Sequence, residues 1–146
     1  MKRHLEEDLD HRGVVVNREV VISRGEGASR GERTDIRVDA LARGPRAEEY
    51  GPVTVIIEAK GNWYRHLYRE MEAQLAGRYL RHYRCRHGLY LVGWFNCPQW
   101  DPKDPKYRTA MRRDPTAALR KLRAKATELS RGELRVEPIL VDAALR

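Results

Sequence analysis

The sequence is poor in several features that would narrow its function at once. Its 146 residues hold two cysteines, Cys85 and Cys97. They show neither the spacing of a zinc cluster nor the density of a disulfide-stapled secreted domain. The five histidines contain no H-x-x-x-H spacing, so a histidine zinc site is not expected. No stretch approaches the roughly 18 consecutive apolar residues of a membrane span. The opening MKRHLEEDLD carries acids and no apolar centre, unlike a secretory leader. A Walker glycine-lysine element is absent, and Gly25, Gly27 and Gly31 lack the strand–turn–helix setting of a dinucleotide loop. No internal repeat or Pro/Gly/Ser linker divides the chain. One domain over 1–146 is expected, with a cytoplasmic location by default.

What is abundant is positive charge. Lys and Arg number 29 against 21 Asp and Glu, a net charge of +8, and most of the bases are arginine. The guanidinium fork suits phosphate oxygens, so the balance points to a polyanion, nucleic acid first. Apolar residues at 41% are enough for a true core and exclude intrinsic disorder.

Hydrophobic patterning predicts a short helix over 3–10, then a strand over 14–22 bulged at Asn17-Arg18. A glycine-rich loop over 23–33 follows, then an alternating strand, TDIRVDAL, over 34–41. After a second turn region over 42–52 comes VTVIIEAK (53–60), the most apolar strand and the expected centre of the sheet. These three form an antiparallel meander. A long helix over 65–86 is marked by Leu67, Met71, Leu75 and Tyr79 at steps of four. The strand LYLVGWF (89–95), a Pro-rich loop over 98–115, a helix from Pro115 to Leu129 capped by Asp114 or Thr116, and a last strand over 134–141 complete the chain. The strand–helix–strand passages imply parallel pairing in the second half and a mixed sheet overall.

Four residues stand out: Asp35, Glu58, Lys60 and Gln74. Glu58 and Lys60 lie two apart on one strand and so share a face. A carboxylate and an ammonium on a central strand are costly to desolvate unless they are paired or hold a ligand. The hairpin brings Asp35 beside Glu58, where two carboxylates repel unless a hard divalent cation joins them. Asp39 shares the face of Asp35, and a register slip would exchange the two. The Ala59 carbonyl is a candidate third oxygen ligand. Such a centre suits phosphodiester hydrolysis by polarising a phosphoryl oxygen and acidifying a bound water. Lys60 either steadies the transition state as an ammonium or helps to deprotonate the water. The second role needs a pKa well below about 10.4. Arg65, His66 and Arg69 near the start of the long helix are candidate backbone contacts. Arg78, one turn beyond Gln74, shares its face and is a candidate to point with it at the scissile phosphate. The alternative for each is a solvated basic face. Trp63 and Tyr64 either stack on a base or pack in the core.

The run RTDIRVDA (33–40), then VIIEAKG (55–61), then a helix carrying Gln74 in QLAGRYL, resembles the PD-(D/E)xK nuclease superfamily. Thr34 stands where the strand proline of that name would be. The resemblance implies an α/β fold with a restriction endonuclease-like core, an αβββαβ unit whose mixed β-sheet is flanked by helices. It implies that Asp35 and Glu58 hold Mg2+ or Mn2+ with Ala59, that Lys60 assists the water, and that Gln74 orients water, substrate or Lys60. Glu6, Glu7 and Glu19 are the candidates for a further acid. DNA is the implied substrate, and a homodimer is expected from the small size of the domain. The alternatives are a nucleic-acid-binding protein that keeps the fold without activity, and a basic subunit of a larger assembly.

Overall fold

Strand β3, Val53–Gly61, organises the molecule. In the computed structural model, residues 14–23, 32–40 and 53–144 are described, with the backbone alone over 17–23 and 32–35. The expected helix over 3–10, most of both early loops, Glu6 and Glu7 lie outside the described residues. So do the side chains of Glu19 and Asp35.

Among the described residues five strands form one sheet in the order β1-β2-β3-β4-β5, the order of the sequence. Strands β1 (Val14–Ser23), β2 (Glu32–Ala40) and β3 run as an antiparallel meander. Strands β4 (His87–Trp94) and β5 (Arg135–Asp142) then add in parallel. The mixed sheet is therefore as expected, with β3 at its centre. Pro138 falls on β5, an edge strand, where a missing N–H is tolerated. The irregularity of β1 lies between Val21 and Ser23. The pairing runs unbroken through Asn17 and Arg18, which corrects the expected bulge there.

Residues alternate between the two faces of β3. Ile56 is fully buried against the helices, in a core shared with Tyr90, Val92, Trp94, Val136, Leu122 and Met71. Ile57 packs on the other face with Val16 and Ile36, beside Val38, Val55, Leu89 and Leu91.

The long helix, α1, begins with one α-helical turn over Leu67–Glu70 and continues as a π-helix over Met71–Leu80. The long helix expected over 65–86 is thus present with its start at Leu67, and most of it is wound more widely than an α-helix. Apolar residues at steps of four drift about 40° per step at 3.6 residues per turn. Hydrogen bonds to the fifth residue widen the turn. Met71, Leu75, Tyr79 and Leu80 are all buried. Gly88 leaves room for Leu80, since a Cβ there would lie 2.7 Å from Leu80 Cδ1.

The region over 98–115 is not wholly loop. It contains a short helix, α2, Tyr107–Met111, whose Ala110 is buried. Helix α3, Pro115–Leu129, starts as expected: Asp114 accepts a hydrogen bond from Ala117 N at 2.6 Å, and Pro115 stands in the first turn. Ala118, Leu122 and Ala126 bury its inner stripe. Among the described residues no helix is long and apolar enough to cross a membrane.

Candidate active site

Alternation along β3 sets Ile56, Glu58 and Lys60 on the helix-facing side. Glu58 is 2% exposed, and the Lys60 side chain 16%. Lys60 Nζ donates to Glu58 Oε1 at 2.5 Å and lies 5.1 Å from the centre of the Tyr64 ring. A buried carboxylate needs a partner of opposite charge, and Lys60 supplies one on the same face.

Glu58 pairs in parallel register with Tyr90 of β4. Tyr90 is fully buried, and its hydroxyl donates to the Leu67 carbonyl at 2.7 Å. Burial pushes its phenol far above the ordinary range, and the negative charge of Glu58 adds to the shift. Tyr90 is thus held as a donor, tying the start of α1 to the strand beside Glu58.

In the β2–β3 ladder Ile36 faces Ile57, with Arg37 opposite Ile56 and Asp39 opposite Thr54. The paired residues of β2 in this ladder run from Ile36 to Ala40, and the side chain of Asp35 lies outside the described residues. The slip that would exchange Asp39 for Asp35 is not the observed register. Asp39 is occupied elsewhere: it forms an ion pair with Arg37 at 2.9 Å and accepts from the Thr54 hydroxyl at 2.6 Å. The hydrogen bond to Asp39 also holds Arg37 more firmly charged.

The remaining sequence candidates fall around this strand. Ala59 lies between Glu58 and Lys60 and is half-buried. Gln74 lies in the π-helical part of α1, its Oε1 buried and without a hydrogen-bond partner among the described residues. Arg65, Arg69 and Arg78 are exposed. They therefore meet solvent along the chain segment that covers the site. Among the described residues no three His, Cys, Asp or Glu side chains gather closely enough to hold a metal ion. Glu58 is the described carboxylate of the expected metal set.

Two residues that sequence reasoning passed over hold the strand end in place. Asn62 is fully buried. Its N–H donates to the Gly93 carbonyl at 2.9 Å, and its side-chain oxygen accepts from Phe95 N at 3.3 Å. Its amide also meets the amide of Asn96 at 2.8 Å. Arg113 reaches back to donate to the Asn62 carbonyl at 2.6 Å, with its ring neighbour Tyr68 5.9 Å away. The sequence signal at Asn62 is that of a turn after Gly61, and nothing local distinguishes a buried asparagine from an exposed one. The Arg113 contact spans 51 positions, beyond any local pattern.

Comparison with protein-family models, with curated proteins and with solved structures gave no match to this chain.

Proposed function

We propose that the chain is a metal-dependent nuclease of the PD-(D/E)xK kind, with a restriction endonuclease-like core, that hydrolyses phosphodiester bonds in DNA. The observation that carries this reading is the pair on β3. Glu58 is 2% exposed and bonded to Lys60 at 2.5 Å on the helix-facing side of the strand. The order of elements, three antiparallel strands, a helix and a parallel strand, supports it.

The donor chemistry fits a hard cation: Glu58 offers carboxylate oxygen, and Asp35 and the Ala59 carbonyl would complete the set around Mg2+ or Mn2+. When bound, the cation supplies Lewis-acid polarisation of the phosphate and acidification of a water. The chain's own residues do the rest. Lys60 brings a positive charge to the edge of the site, where an ammonium offsets charge building on phosphate oxygens. Gln74 on α1 has a buried acceptor oxygen with which to orient a water or an amide. Arg65, Arg69 and Arg78 supply exposed charge for the DNA backbone. A homodimer would widen the grip of so small a domain on a duplex, and equilibrium sedimentation with and without DNA measures it.

The test is incubation of the purified chain with linear, nicked, branched and single-stranded DNA, and with RNA, in Mg2+ or Mn2+. Cleavage that stops on chelation and in Lys60→Ala is expected. No cleavage of any substrate, with wild type equal to Lys60→Ala, overturns the reading. The close Lys60–Glu58 pair also suits a second reading, a non-catalytic nucleic-acid-binding protein in which the pair closes on itself. Binding without cleavage would select it.

A further inference from the structure

The end of β3 carries a second feature, on the opposite face of the sheet from Lys60. Gly61 pairs directly with Gly93 of β4. Neither has a side chain, and two aromatic rings occupy the space: a Cβ on Gly61 would run into Trp63, and one on Gly93 would lie 2.5 Å from Phe95. The Trp63 and Phe95 rings are 4.8 Å apart, and Trp100 meets Trp63 edge-on at 5.5 Å. Together with Cys97, Gln99 and Ala143 these rings wall a cavity of about 300 Å3.

The walls are fixed by their own contacts. Trp100 Nε1 donates to Asp104 at 3.0 Å, so its polar edge is occupied and its faces are left for packing. Asp104 also accepts from Lys106 N at 2.7 Å, and Asp101 accepts from Lys103 N at 2.9 Å. Both acids are therefore committed to the turns of their own loop. Lys103, Lys106 and Arg108 are exposed, and Lys106 Nζ stands 5.3 Å from the Trp63 ring.

An aromatic cavity with the Lys106 ammonium beside one of its rings fits a planar ring attached to a phosphate. We propose that this cavity takes a single unpaired nucleobase of the nucleic-acid strand, an inference that rests on the nuclease reading above and narrows its substrate. A base within a duplex offers only its edges, because its faces are stacked. A cavity walled by rings takes the face, so the base must be out of the stack, as in a single strand, a frayed end or a branch. Its volume, at the low end for ligand pockets, suits one base. Stacking reads the ring rather than its hydrogen-bonding edge, so the preference is for unpaired structure and tolerates sequence.

The experiment compares single-stranded oligothymidylate with an abasic oligonucleotide of equal length and charge, in chelator so that nothing is cleaved. The expected result is at least about 5-fold tighter binding of oligothymidylate, with quenching of tryptophan emission, since one base–aromatic stack contributes that much. Trp100→Ala removes the difference and leaves abasic binding intact. Ala143→Phe, which fills the cavity and keeps its walls, does the same where loss of the Trp100 ring disturbs folding. Equal affinity for the two oligonucleotides overturns the proposal, as does an equal loss for both in Ala143→Phe. Emission that follows protein concentration and ignores oligonucleotide also overturns it, assigning the cavity to a second copy of the chain. Cleavage without base-dependent binding removes the pocket alone, and base-dependent binding without cleavage removes the nuclease reading alone.

Discussion

At Glu58 a carboxylate 2% exposed is kept beside one ammonium, and the two charges are not equivalent. Lys60 has a partial path to solvent, whereas Glu58 has almost none. Lys60→Ala should therefore lower cleavage at least about 100-fold, the range for a group acting directly on the reacting charge. Retention of DNA in chelator, measured by gel shift, should hardly change. Glu58→Gln keeps the volume and removes the charge, and cleavage should be lost with it. Tyr90 gives a prediction of stability instead. Its phenol ionises in the unfolded chain near its ordinary value of about 10 and much higher in the fold. Its folded pKa is raised, so its contribution is complete below about pH 10 and is lost as pH rises from there. Tyr90→Phe should remove that share of the alkaline decline. At neutral pH it should cost about 1–2 kcal/mol, because the buried Leu67 carbonyl loses its donor. Urea titrations at neutral and alkaline pH measure both.

The elements were legible in the sequence where period and punctuation agree. VTVIIEAK reads as a central strand because apolar residues fall on both its faces. Pro115 to Leu129 reads as a helix because Asp114, Pro115 and the Ala118, Leu122 stripe all say so. The π-winding of α1 was not legible as such. Its steps of four are visible, but a 3.6-residue period is the ordinary way to read them. Helix α2 was hidden among prolines that mark turns, and the β1 irregularity is set by pairing with β2 and not by local residues. At the site, the E-x-K spacing showed that Glu58 and Lys60 share a face. What fixes the end of β3 lies in contacts between distant elements. Asn62→Ala should therefore cost about 2 kcal/mol, since it strips partners from the Phe95 amide and the Asn96 side chain inside the protein. Chemical unfolding measures that loss, and a parallel fall in cleavage would show that the strand end positions Lys60.

For the molecule as a whole, a net charge of +8 would make the proposed binding to nucleic acid salt-dependent. Replacing Arg65, Arg69 and Arg78 together by alanine should flatten the slope of log affinity against log salt by about 3 if each meets one phosphate. Filter binding across a salt series gives that slope, and an unchanged value would move the DNA track to another face. The sheet's strand order has a further consequence for synthesis on the ribosome. Because each strand lies beside the one made before it, every pairing can close as soon as its second strand emerges, with none waiting for a later insertion. The β1–β3 meander can thus form while α1 and β4 are still unmade. At that stage Glu58 and Lys60 stand in water with their charges hydrated. The cost of withdrawing them falls on the later docking of α1 and β4, whose Leu67–Tyr90 bond closes beside them. The nascent chain would carry the site's residues early, and acquire their buried environment only when the second half of the sheet is in place.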